Sequence, residues 1–231
     1  MASSAAKERV RELREQGRSP KQIARALGMS PAAVAPLVRE VAAESGRKPT
    51  AALAGCWVSP DWAIGLRVPG RPAWPGLPTP AETGTSGMVT VAVAREHGGS
   101  KVSACTYLVD TYCLGVKNAM GPQAMDRRKL PAFLGQAFRS YSDPPLEAPL
   151  GLAQQLVFRA IEYAHGLGFG PHPDFFACAL HLGNWEGPGA IGFGRDGKPL
   201  FVPGPYDDAA HIIQTLEDTV GLGGFDFLLT A

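Results

Sequence analysis

SPKQIARALGMSPAAV, residues 19–34, decides how the start of this chain folds. Ser19 is a good N-cap, because its hydroxyl can accept a bond from an unpaired N–H of the first helical turn. Pro20 suits the first helical position, where it has no needed N–H to lose. The helix so opened, 21–27, stops at Gly28, which tolerates the positive φ of a sharp exit. Ser30-Pro31 repeats the cap and opens a further helix to about residue 44. Upstream, KERVRELREQ (7–16) reads as a helix ended by Gly17. Helical spacing then predicts one buried set: Val10, Leu13, Ile23, Ala24, Leu27, Val34, Leu37 and Val41.

The spacing S-P-x-Q-I-A-x-x-L-G-M-S-P-x-x-V, carried by Gln22, Ile23, Ala24, Leu27, Gly28, Ser30 and Val34, resembles the helix-turn-helix of resolvases, Fis-type regulators and sigma-factor region 4. It covers residues 7–44. The resemblance implies a nucleic-acid-binding module, placed at 1–48, whose third helix enters the major groove. Its base-facing positions would be Pro31, Ala32, Ala33, Ala35 and Pro36. None of these side chains can make a bidentate hydrogen bond to a base edge, although Ala32 and Ala33 could meet a thymine methyl. Cations surround them, so the module reads as a binder of backbone charge. The contact set expected is Arg14, Arg18, Lys21, Gln22, Arg25, Ser30, Ala32, Ala33 and Arg39.

Charge is distributed accordingly. Residues 1–50 carry ten Lys/Arg against five Asp/Glu, and the other 181 residues carry twelve against sixteen. A head of +5 therefore sits on a body of −4, which the overall +1 conceals. The start lacks the apolar run of a secretory signal, and no apolar stretch approaches the length of a membrane span. Cys56, Cys105, Cys113 and Cys178 form no C-x-x-C pair and read as buried, reduced thiols of a cytoplasmic protein.

The fold class expected is α+β: the all-α module, then an α+β body over 49–231. A linker, SGRKPT, joins them. Within the body, 69–87 holds five Pro and four Gly among nineteen residues and reads as a flexible segment. An early strand falls within 54–68, a second alternates over 89–93, and a third returns over 101–110 after the turn 97–100. Amphipathic helices are expected over 131–141, 151–165 and 173–182. Residues 191–193 and 200–202 are expected to pair as a hairpin about Asp196-Gly197, and Asp207 to cap a last helix with Ile212, Ile213, Leu216 and Val220 inward. The segment 108–119 and the run EYAHGLGFGPHPDF also resemble bacterial proteins, a resemblance that implies no activity.

Chemistry in the body has two candidates. Asp110, Lys117, Asn118, His172 and Asp174 could line a pocket for a polar ligand, and a carboxylate beside a lysine could move a proton; for Asp110, Lys117 and Asn118 an ordinary ion pair and a cap is the preferred reading. His172, Cys178 and His181 have no spacing that suits zinc, so no metal is expected. Neither Gly-x-Ser-x-Gly nor a complete Walker A run occurs. No cofactor or catalytic residue is implied, and the reading leans away from an enzyme. The function expected is DNA-binding regulation, with a body that senses a ligand, dimerises or docks a partner. The alternatives are an RNA- or ribosome-associated factor using the basic helices on rRNA phosphates, and an enzyme delivered to nucleic acid. Expected partners are nucleic acid, DNA ahead of rRNA, and a second copy of the chain, without membrane.

Overall fold

The computed structural model describes residues 2–15, 18, 20–29, 34, 37, 51–70, 73–77, 87–185, 187 and 189–228, with side chains from 6–13 in the first helix and from 22 onward in the second. The expected helix over 31–44, the linker and all of 78–86 lie outside that set, apart from Val34 and Leu37, which are helical.

Helix α1 spans Ala2–Glu15 and α2 spans Pro20–Leu27. Both end with wide C-terminal bonds: Arg18 N–H donates to Leu13 O, and Met29 N–H donates to Ala24 O. At the end of α2, Gly28 N–H also donates to Arg25 O, with Gly28 at φ 61°. That is the bond pattern of a Schellman stop, and it satisfies carbonyls the helix leaves over. Val10, Leu13, Ile23, Ala24 and Val34 are buried, with Leu27 and Leu37 partly so. These side chains belong to the same hydrophobic cluster as the core of the body.

The body is built on one antiparallel sheet of five strands in the order β4-β3-β2-β1-β5. The strands are β1 (Leu53–Val58), β2 (Met88–Glu96), β3 (Lys101–Asp110), β4 (Gly115–Asp126) and the short β5 (Leu146–Glu147). Alternation along β2 and β3 sends Val89, Val91, Val93, Cys105, Tyr107 and Val109 to one face and Ala94, Val102 and Ala104 to the other. Both faces are covered, so the central strands are buried throughout.

Helix α3 (Leu130–Ala137) follows a 3-10 turn, Arg127–Lys129, and packs Leu130, Phe133 and Leu134 on the alanine face. The valine face carries α4 and α5. Helix α4 is continuous but mixed: α-helical at Leu150–Gln154, π-helical at Gln155–Arg159 and α-helical again at Ala160–Gly166. Its Leu152, Leu156, Val157 and Ala160 are buried against the sheet together with Phe175, Cys178 and Leu182 of α5 (Phe175–Leu182). A smaller cluster joins Cys113, Leu167 and Phe201 to Ile212 and Leu216 of α6 (Ala209–Val220).

Three expectations for the body need correction. Residues 115–126 form a full strand where none was expected, because Gly, Asn, Ala and Pro mask the strand pattern at this sheet edge. The hairpin about Asp196-Gly197 closes only at the Arg195–Lys198 bridge. Leu200–Phe201 (β6) instead pairs in parallel with Asp226–Phe227 (β7), and Gly192 bridges to Arg67. Lastly, α6 is capped by Asp208, whose Oδ1 accepts from His211 N–H at 3.1 Å, and not by Asp207. The Pro/Gly-rich stretch is also less free than its composition suggests. Trp74 meets Trp62 edge-on at 6.0 Å, and Trp62 Nε1 donates to Pro75 O at 2.8 Å.

Candidate functional site

Of the nine residues expected to meet nucleic acid, Arg18, Gln22 and Arg25 are described with their side chains, and all three are exposed. Arg14 and Lys21 lie on α1 and α2, but their side chains fall outside the described residues, as do Ser30, Ala32, Ala33 and Arg39 altogether. Exposure of Gln22 and Arg25 follows from the burial of Ile23 and Ala24, which fixes the inward side of α2, while Arg18 lies between α1 and α2. Two further arginines of α1 are engaged locally: Arg9 pairs with Glu12, and Arg11 with Glu8, each one helical turn away. Such exposed pairs contribute little to stability and leave the charge available at the surface.

Of the five residues expected to form a pocket, Asp110, Lys117 and His172 have structural partners near the start of β4. Asp110 is 4% exposed, and its Oδ1 accepts the N–H groups of Tyr112 (2.9 Å) and Cys113 (3.0 Å), which closes the β3–β4 turn. Burial pushes its carboxyl up to about 6, against the opposing pull of those N–H groups and of Lys117. Lys117 Nζ donates to Asp207 Oδ2 at 2.5 Å, and that oxygen also accepts Gly204 N–H at 2.8 Å. Asn118 is exposed on the edge strand opposite Leu108. His172 N–H donates to Val116 O at 2.9 Å, while its ring accepts Asp174 N–H at 3.3 Å. Asp110 and His172 are thus engaged with nearby backbone groups and Lys117 with Asp207.

Gly194-Arg195-Asp196-Gly197-Lys198 is a tight turn, with Asp196 at φ 53° and Lys198 Nζ on Asp226 at 2.6 Å. Just before it, Gly187, Gly189 and Gly192 have the G-x-G-x-x-G spacing, which sequence reading passed over. This run neither follows a strand nor opens a helix, so the context that lets such glycines cradle a pyrophosphate is missing. His172, Cys178 and His181 do not converge either. Among the described residues, no three His, Cys, Asp or Glu side chains are placed to hold a metal ion.

A polar constellation that sequence reading missed lies where β2, β3 and α5 meet. Ser103 Oγ sits between two imidazoles, 2.5 Å from His97 Nε2 and 2.8 Å from His181 Nε2. Beside it, Arg95 Nε donates to His181 O at 2.9 Å, and Arg95 Nη2 is buried without a partner among the described residues. Burial, reinforced by Arg95 and then His97, lowers the His181 imidazole to about 4, so this ring is neutral near pH 7. Half of the arrangement was legible: a hairpin about 97–100 places Arg95 opposite Ser103. His181 arrives from another element, and nothing local in the sequence announces it.

Compared with known protein families, characterised proteins and solved structures, this chain matches none.

Proposed function

We propose that the chain binds nucleic acid through an N-terminal helix-turn-helix, holding backbone phosphates more than reading bases, and acts as a DNA-binding regulator. The observation that carries this reading is the pairing of an inward apolar set with an outward basic one. Val10, Leu13, Ile23, Ala24 and Val34 are buried, while Arg18, Gln22 and Arg25 are exposed. The Gly28 stop provides the sharp exit from α2 that such a unit needs. The +5 charge of residues 1–50, set on an acidic body, supplies the long-range attraction. The body, built on a sheet covered on both faces, serves to dock or sense.

Gentle purification of the full chain from its native source, followed by sequencing of the nucleic acid that accompanies it, tests the reading. Enriched DNA fragments support the regulator. Enrichment of rRNA with ribosomal proteins replaces it by a ribosome-associated factor, and recovery free of nucleic acid at low salt removes both.

A further inference from the structure

The cluster of Arg95, His97, Ser103 and His181 is not used by nucleic-acid binding through α1 and α2, and its geometry is that of a reaction centre. A serine hydroxyl has one proton and can donate to only one of two flanking imidazoles, accepting from the other. In the tautomer that carries its proton on Nδ1, the recessed His181 accepts through Nε2, and the more exposed His97 then donates to the same oxygen. The hydroxyl proton is thereby aimed at His181, which is the arrangement that activates a nucleophile.

Arg95 sets the kind of electrophile. It is 6% exposed, held through Nε by the last turn of α5, and its buried Nη2 has no hydrogen-bond partner among the described residues. Among the described residues, no carboxylate shares the hydrogen bonds of this cluster. A fixed guanidinium with a spare donor and two imidazoles favours an electrophile that brings negative charge. We propose that Ser103 is a nucleophile toward phosphate esters, with His181 as general base and His97 as general acid.

In the first step the Ser103 Oγ–P bond forms and the P–O bond to the leaving group breaks. The serine proton passes to His181 Nε2, and the leaving oxygen takes a proton from His97. In the second step water attacks phosphorus and gives its proton to the now neutral His97. The Oγ–P bond breaks, and Ser103 recovers its proton from His181. The sum is hydrolysis of the ester. Arg95, which adds to burial in keeping His181 neutral in the free protein, would hold the phosphoryl oxygens. Once that anion is in place, the imidazolium beside it is stabilised.

The test uses the full chain and diisopropyl fluorophosphate, in which the P–F bond is the one broken, read by intact-mass and peptide mass spectrometry. One adduct per chain at Ser103 is expected at pH 8. Ser103→Ala should give none, and His181→Gln should label about a hundredfold more slowly, within the range general bases contribute. Circular dichroism of both variants checks that they fold. Should His181→Gln unfold, the native chain decides through its pH profile. A rate that holds through pH 6.5 and falls only toward about pH 4, where His181 protonates, supports the proposal. An unlabelled Ser103, an adduct elsewhere only, native-rate labelling of His181→Gln, or a rate that halves near pH 6.5 each overturns it.

Discussion

Asp110 shows how a single residue can be conspicuous in sequence and still do structural work. It stands at the end of a strand with Lys117 nearby, a pattern shared by proton-transfer sites, yet its oxygen closes a turn by accepting two backbone N–H groups. Its carboxyl is raised from 3.8 to about 6, so the folded chain holds this proton more tightly than the unfolded one. The stability it contributes is therefore full below pH 3.8 and is lost as pH rises through about 6, a swing of about 3 kcal/mol at the usual value per pH unit. Asp110→Asn keeps the accepting oxygen without the charge. Urea melts at pH 4 and pH 7 should show this variant losing less stability between the two than the native chain does; an equal loss would place the charge cost elsewhere.

Two glycines make a paired test at the same scale. Gly28 and Gly115 have similar φ, 61° and 68°, but differ in surroundings. Among the described residues a Cβ on Gly28 meets nothing within 4 Å, whereas one on Gly115 would stand 2.9 Å from Ala160 O and 2.8 Å from Ala164 Cβ. Gly28→Ala should cost only the backbone strain, about 1–2 kcal/mol. Gly115→Ala adds overpacking against α4, typically 1–3 kcal/mol more, and should lower the melting temperature further. The stop at Gly28 was legible because it depends on one residue; the close approach at Gly115 was not, because Ala160 is remote in sequence.

Among the elements, those with a strong period were readable and those without one were not. Strand β3 lies where expected, and α4 shows its apolar stripe plainly, although the π-helical turn at Gln155–Arg159 shifts that stripe by a residue. Strand β4 escaped notice because it is an edge, paired on one side by β3 and carrying exposed residues at Asn118 and Met120. Its Gly, Asn, Ala and Pro residues carry little of the β-branched and aromatic signal by which strands are read. Leu156 anchors α4 on the sheet and is fully buried, so Leu156→Ala should destabilise the body by about 2–5 kcal/mol in denaturant melts. A cost under 1 kcal/mol would mean that α4 is not fixed to the sheet by this contact.

At the scale of the whole molecule, the architecture separates charge from core. The hydrophobic cluster runs from Val10 and Ile23 through the sheet to α4 and α5, while the cationic excess is confined to the first fifty residues. This division was visible in the sequence because both charge and helical period are local properties. The Ser103 cluster was not, because it depends on three elements meeting in space. Phosphate binding by the basic head makes a quantitative demand: each contact steepens the fall of affinity with salt by about 0.9 in the log–log slope on duplex DNA. The most direct measurement is therefore a titration of the full chain against duplexes of random and of selected sequence at two salt concentrations, repeated with Arg18→Ala/Arg25→Ala. Expected are similar affinities for both duplexes, a steep loss with salt, and a slope shallower by about 1.8 in the double variant, whose affinity drops alike for every sequence. Strong preference for one sequence that survives high salt, or a double variant that binds like the native chain, would contradict phosphate binding by this head.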